Sequence, residues 1–422
     1  MTDPTGVCFL SYKRERADDA RLILQALMDR GVPTWQDVSD LLRGITESAL
    51  KAVLVSETTS SAVILITPEV EQSAVIRDVE APLILKRRDK RDGFFAVPVV
   101  AGGLTYADVS RVIGPRAGLN DLSVFNLHRE AAKQLNGEAA ARISRIALEE
   151  RIGAICKASP KDEPLRIQVS TRRPLPKEPG YALRLDICHR FDGRLAAPGA
   201  WSEHILPGFV DVVQVLQRKA ANRKVLLSGF LALPAAVALG TAFLSVNGIK
   251  ASWVQEQDTF GRDPEIWDLS VSPIASGFCA KEHPQPASGT DYALLVSVTN
   301  DVTDDYSVSK IGLPLRSAVH VAPIEPREGR IHVGPSEAVH IARLAVDSLR
   351  AAWTEHGKRG TIHLFLAVPA GLAFMIGQQL NTFADVQTYE HVPGDPIPYK
   401  PAALLTPSIS IGVAIPATAD SI

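Results

Sequence analysis

The chain has 422 residues, 46% of them hydrophobic and 22% charged, which excludes a disordered protein and a single ordinary core and points to two or three folded domains. A formal net charge of −2 gives no global basic field, so long nucleic acid is not an expected partner, whereas a small anionic ligand needs only a local pocket. Cys8, Cys156, Cys188 and Cys279 have no CxxC spacing and the ten histidines (His332 and His340 included) no metal-ligand spacing, so neither a disulfide framework nor a metal is expected. With no signal-peptide pattern in Met1–Gly6, the expected compartment is the cytoplasm.

In chain order, Val7 to Leu10 is a short apolar run that reads as a buried parallel strand, with Ser11-Tyr12-Lys13-Arg14 at its end. Asp18 to Arg30 follows as an amphipathic helix with Ala20, Ile23, Leu24, Leu27 and Met28 on one face, and Gly31 sits where a C′ glycine ends it. Further strands are predicted at Val32–Trp35, Ala62–Ile66 and Phe94–Val100. Strands alternating with helices imply a doubly wound parallel sheet, whose ligands bind beyond the carboxyl ends of the strands, where Ser11, Asp37 and Thr67 fall.

Phe9-Leu10-Ser11-Tyr12, then Trp35-Gln36-Asp37 running to Gly44, then Ser61 to Pro68, stand in the order and spacing of the boxes of a TIR domain, and residues 5 to 125 resemble that family. The resemblance implies a flavodoxin-like α/β domain and NAD as substrate. Glu80, in Ser73-Ala-Val-Ile-Arg-Asp-Val-Glu80, lies where NAD-cleaving TIR domains carry a catalytic glutamate, although Ile76 replaces the family's usual aromatic residue; Asp78 and Glu71 are rivals. Cleaving the nicotinamide–ribose bond builds positive charge on the ribose, as in glycoside hydrolysis, and one fixed carboxylate stabilises it. The leaving group departs neutral, so no paired acid is required. Arg14 is the expected pyrophosphate contact, Phe9 or Trp35 the nicotinamide wall, and Ser11, Tyr12, Asp37 and Gly44 complete the expected NAD site. The plainer alternatives are a core Phe9, a turn-stabilising Asp37, a solvated Arg14 and a surface Glu80, which together describe a non-catalytic scaffold.

Gly137 to Lys157 reads as a long amphipathic helix, and Ala158-Ser-Pro-Lys-Asp-Glu-Pro164 as a linker, giving domains at 1–158 and 165–422. Val225 to Val246 is uncharged and long enough for a membrane span. However, Leu231-Ala-Leu-Pro-Ala-Ala-Val-Ala-Leu239 recurs as Leu366-Ala-Val-Pro-Ala-Gly-Leu-Ala-Phe374 in a wetter context, so both copies are expected to be a buried strand, a turn, and a helix opened by Pro234 or Pro369. No membrane partner is therefore expected. Tyr292–Val298 and Ala318–Val321 read as strands and Pro335–Glu355 as an amphipathic helix. The repeat implies two related α/β halves, each with a crevice at its strand ends and helix amides suited to phosphate.

The LAxPAxxA pair, the stretch Asp385 to Tyr389 and Tyr399-Lys400-Pro401-Ala402 give residues 165 to 422 a resemblance to the SAVED domain, a fusion of two CARF-like Rossmann units that sense cyclic oligonucleotides in bacterial CBASS antiviral defence. It implies a cyclic oligoadenylate activator, cyclic tri-adenylate first, and contacts at Pro234, Ala235, Asn300, Asp301, Pro369, Ala370, Tyr389, Tyr399 and Lys400, with a tyrosine stacking on adenine. The bland alternative packs both tyrosines in the fold, and Arg172-Arg173 is a further phosphate candidate. Together the two resemblances imply an NAD hydrolase switched on by a cyclic oligonucleotide through homo-oligomer or filament formation.

Overall fold

Apolar runs flanked by turn residues become the central strands of parallel sheets in the computed structural model. It describes residues 1–36, 47–113, 127–244, 248–256, 263–275, 277–284, 288–325 and 332–406. Two compact units form, Met1–His189 with Val215–Val225, and Arg190–Gln214 with Leu226–Ile422. Leu165–His189, on the far side of the expected linker, therefore groups with the first unit.

In the first unit, β1 (Val7–Ser11), β2 (Thr34–Gln36), β3 (Thr59–Ile66), β4 (Phe95–Val100) and β5 (His128–Arg129) run parallel in the order β2-β1-β3-β4-β5. All eight residues of β3 are buried, as a strand covered on both faces requires. Neighbouring strands β1 and β3 are the point where the winding reverses, so their carboxyl ends open a crevice. The helix Ala17–Asp29 turns Ala20, Ile23 and Leu27 inward and ends as its sequence predicts, with Gly31 at φ +75°. A Cβ on Gly31 would also press within 2.9 Å of Leu183 and Leu185, so this position needs glycine twice over.

The helix Gly137–Ala158 is capped by Asn136, whose side chain accepts from the Ala139 N–H at 2.9 Å. After it come β6 (Leu165–Ser170) and β7 (Leu183–Asp186), which pair in parallel. Arg151 of this helix is fully buried. Its guanidinium donates to the carbonyls of Ala182 (2.7 Å), Gly6 (2.6 Å), Thr5 (2.7 Å) and Tyr181 (3.4 Å) and to Ser60 Oγ (3.2 Å). Burial pulls its pKa down to about 10, which still leaves it charged at neutral pH. One side chain thus holds the entry to β1, the edge of β3 and the entry to β7.

The second unit opens with a small hairpin, β8 (Phe191–Asp192) and β9 (Leu195–Ala196). The strands β10 (Lys224–Phe230), β11 (Lys250–Gln255) and β12 (Glu265–Trp267) lie in the order β12-β11-β10. A six-stranded sheet has the order β13-β15-β14-β16-β17-β18, from β13 (Phe278–Pro284), β14 (Asp291–Ser297), β15 (Leu315–Pro323), β16 (Ile362–Ala367), β17 (Val386–His391) and β18 (Tyr399–Leu405). The inner four strands are parallel and the two edges antiparallel. Here the winding reverses between β14 and β16.

Both copies of the repeat form the expected strand, turn and helix. Over the uncharged stretch and the lysine before it, Lys224–Phe230 is β10 and Leu233–Ala242 a helix, and among the described residues no helix is long and apolar enough to cross a membrane. Pro234 stands in the first turn of its helix, whereas Pro369 is the N-cap of Ala370–Gly377, one step earlier than the expected first position. The two helices pack on each other through glycines. A Cβ at Gly377 would meet Val237 O at 2.2 Å, and one at Gly240 would meet Phe374 O at 2.2 Å. Gly377→Ala is therefore expected to lower stability by about 1–3 kcal/mol through overpacking, read as a lower denaturation midpoint. An unchanged midpoint would contradict this packing.

Candidate functional site

The carboxyl end of β1 and the segment that follows β3 line a cavity of about 200 Å³, walled by Phe9, Leu10, Ser11, Tyr12, Lys13, Arg14, Ser73, Val75, Ile76 and Glu80. Glu80 closes a π-helical turn, Ile76–Glu80, that runs into the helix Ala81–Asp89. Such wide turns shift the register of a helix and recur at functional sites. This one carries Glu80 inward, to 6% exposure, where its carboxylate accepts a short hydrogen bond from the Ser11 hydroxyl. A buried carboxylate bound by a hydroxyl at a strand-end crevice is equipped to face developing positive charge.

The rivals lie elsewhere. Glu71 is exposed, and its backbone carbonyl accepts from Arg77 at 2.6 Å. Asp78 is exposed and pairs with Arg77 at 3.2 Å. Ile76, in the place of the family's aromatic residue, is buried and lines the cavity.

Four of the expected dinucleotide contacts, Phe9, Ser11, Tyr12 and Arg14, line this cavity with Glu80, and a fifth, Trp35, packs on one of them. Phe9 is core and cavity wall together, at 1% exposure. Trp35 stacks on Phe9 at 5.2 Å with 21° between the ring planes, so it supports that wall from behind. Ser11 binds Glu80, half-buried Tyr12 lines the cavity, and exposed Arg14 stands at its mouth. Asp37 and Gly44 lie outside the described residues. The motifs did not single out Lys13, Ser73 and Val75, because only the fold brings the segment after β3 beside the end of β1.

In the second unit the loops after β14 and β16 meet at the winding reversal. The N–H groups of Val298 and Thr299 both donate to Ala367 O, at 2.9 and 2.8 Å. This brings exposed Asn300 and Asp301 close to half-buried Pro369 and Ala370. Burial works to raise the Asp301 pKa, but hydrogen bonds from Thr303 N (2.9 Å) and Oγ1 (2.8 Å) prevail and hold it below the usual carboxylate value. Pro234 and Ala235 are buried in their helix, and Lys400 pairs with Asp395 at 2.6 Å.

Tyr389 and Tyr399 differ from the expected stacking platform. They are 7% and 3% exposed and clasp Phe365, one stacked at 4.4 Å and the other edge-on at 5.2 Å. The Tyr389 hydroxyl is also bonded to His363 Nδ1 at 2.8 Å. Both rings pack in the core because β17 and β18 turn these positions toward the helix Thr303–Ser309 and its Tyr306. Arg172 and Arg173 follow β6 in the first unit, where their N–H groups reach Ser170 Oγ at 3.3 and 3.2 Å. Among the described residues no cluster of three or more histidine, cysteine or carboxylate side chains is arranged for a metal.

Residues 211–405 match the family described as "SMODS-associated and fused to various effectors sensor domain", or SAVED. No curated protein sequence matches the chain. Among solved structures, the chain is similar to the Acinetobacter baumannii Cap4 SAVED/CARF-domain containing receptor with the cyclic trinucleotide 3'3'3'-cAAA, at 14% identity over 85% of this chain and 84% of that one, TM-score 0.49. It is similar to the Moraxella osloensis Cap4 SAVED/CARF-domain containing receptor at 15% identity over 93% and 99%, TM-score 0.43. A metazoan TIR-STING receptor from C. gigas is similar over 40% of this chain and 58% of its own, at 16% identity and TM-score 0.25.

Proposed function

We propose that the chain is an NAD hydrolase under the control of a cyclic-oligonucleotide sensor, with the hydrolase in a TIR-like domain over residues 1–158 and the sensor in residues 165–422. The SAVED match over 211–405 supports the sensor half. The observation that carries the hydrolase half is the buried Ser11–Glu80 pair at the β1/β3 crevice. In this reading Glu80 faces the ribose bearing nicotinamide. As the C1′–N bond breaks, nicotinamide leaves neutral with the bonding pair, and the carboxylate stabilises the ribosyl cation left behind. Water adds at C1′ and loses a proton, giving ADP-ribose; attack by the adenine of the same molecule would give the cyclised product instead.

A cavity of about 200 Å³ is smaller than the roughly 300–1,000 Å³ that encloses a drug-sized ligand, so it suits the nicotinamide–ribosyl end of the dinucleotide. The remainder needs walls from outside the cavity. That requirement fits activation by head-to-tail assembly, in which a heterologous contact repeats as an open filament and the segment from Asp37 to Gly44 meets a neighbour. A small cyclic oligoadenylate, the tri-adenylate first, is the activator in this reading, and antiviral NAD depletion its outcome.

The test mixes purified chain and NAD with cyclic di-, tri- and tetra-adenylates and follows nicotinamide. Turnover is expected with one ring and little without it. A chain that binds a ring tightly and releases no nicotinamide would instead be a recruiting scaffold.

A further inference from the structure

Beside the β14/β16 reversal, the end of β14 carries a polar pair that the expected contacts do not include. Ser297 Oγ lies 2.8 Å from His320 Nε2 of β15. Ser297 is 4% exposed and also accepts from the Val302 N–H at 3.2 Å, while His320 is half-buried. Lys281 of β13 is the direct cross-strand partner of His320, and His283 is two residues further along. Because side chains alternate along a strand, Lys281, His283 and His320 share one face of the sheet. Glu282 points to the other face, where it accepts from Ser317 at 2.6 Å. Asp301, the acidic neighbour, accepts from Thr303 N and Oγ1 at 2.9 and 2.8 Å. Of the acids on the adjoining helix, Asp305 is paired with His391 at 2.7 Å and Asp304 is exposed.

We propose that Ser297 and His320 form a proton-responsive anion subsite of the sensor, in which protonated His320 binds a phosphodiester oxygen of the ring and ligand binding draws in one proton. The proposal rests on the reading of the second unit as a cyclic-oligonucleotide sensor. In the free protein, burial holds the His320 pKa below the ordinary histidine value; Asp301 opposes this, and His283 and Lys281 add to it. A phosphodiester anion reverses the balance. On protonation Nε2–H donates to Ser297 Oγ, the serine hydroxyl is released to donate to Asp301 at 3.5 Å, and Nδ1–H becomes a new charged donor. Lys281 and His283 add positive potential on the same face. The sign follows by linkage. Between the free and the ligand-bound pKa, the complex holds one more proton than the free chain, so affinity rises as pH falls through the bound value and levels off below the free value. The phosphodiesters and adenines of the ring do not titrate across the neutral range, so the proton belongs to the protein.

The experiment is calorimetric titration of the full chain with cyclic di-, tri- and tetra-adenylate from pH 5.5 to 8, in two buffers of different ionisation enthalpy. The expected result is uptake approaching one proton per ring and an affinity gain of up to roughly tenfold per pH unit in the steepest range. His320→Gln, with His320→Asn as a second variant, is expected to flatten the profile, whereas His283→Gln is expected to keep the proton uptake and move its midpoint to higher pH, because a charge that opposes His320 protonation is gone. Binding without proton uptake by the unaltered chain, or a pH profile that survives loss of His320, overturns the subsite while leaving the sensor standing. Absence of binding by every ring at every pH defeats the sensor reading itself, and the subsite with it.

Discussion

If the proposed hydrolase reading holds, Glu80→Gln is expected to reduce activator-dependent nicotinamide release by about 100-fold or more, because it removes the carboxylate assigned there to stabilise the ribosyl cation. Glutamine has nearly the same volume, and its Oε1 still accepts from Ser11, so the fold is expected to persist, with stability within roughly 1 kcal/mol. Ring binding by the second unit is expected to be unchanged. That separation matters, because a variant that loses both turnover and ring binding has merely unfolded. Glu71→Gln and Asp78→Asn serve as controls on the rival carboxylates, both exposed and both expected to retain turnover. Full turnover by Glu80→Gln, or loss of turnover in either control, would move the chemistry away from the β1/β3 crevice.

The largest expected loss of stability is at Arg151. Arg151→Met keeps the apolar stem but removes a donor from four carbonyls and one hydroxyl, of which Gly6 O keeps a second donor in Ser60 Oγ at 2.9 Å. An acceptor left buried without a partner costs about 1–3 kcal/mol, so even partial relaxation leaves a loss of about 4 kcal/mol, a large share of the roughly 5–15 kcal/mol that keeps an ordinary domain folded. Arg151→Lys keeps the charge but not the fork, and one ammonium cannot span all five acceptors. Denaturant midpoints check both variants, with methionine expected to be worse than lysine. A methionine variant as stable as the parent would show that these carbonyls find other donors and that Arg151 is not the tie it is described as.

Much of this was legible in the sequence wherever a residue's role depends on its neighbours in the chain. The unbroken run Ala62–Ile66 had to be a doubly covered strand, Gly31 had to end its helix, and Pro335 to Glu355 carried its own period. The LAxPAxxA segment reads as strand, turn and helix because it recurs, and the wetter context of its second copy distinguished it from a membrane span. Glu80 was legible as a candidate through the resemblance of its segment to that of NAD-cleaving TIR domains. The π-helical turn that carries it inward was not, since that turn depends on packing rather than on residue type.

What stayed hidden depends on contacts far apart in sequence. Arg151 reads as one more charge on an amphipathic helix until Gly6 and Ala182 are brought to it, across sequence separations of 145 and 31 residues. Tyr389 and Tyr399 look like stacking rings in an edge segment, and only the placement of Phe365 between them shows that they are core. The Ser297–His320 pair spans β14 and β15 and has no motif at all. The proteins most readily read from sequence are those whose sites are built from one loop. Here the cavity joins the end of β1 to residues 73–80, more than 60 positions away in the chain.

The central claim is that the Glu80 carboxylate faces the ribose that bears nicotinamide. The most direct measurement is a structure of the assembled chain with its cyclic oligonucleotide and a non-hydrolysable NAD analogue. The account predicts the nicotinamide end in the cavity beside Phe9 and a ribose hydroxyl within hydrogen-bonding distance, about 3 Å, of Glu80. An analogue bound elsewhere, with Glu80 still turned to Ser11 in an empty cavity, would contradict it.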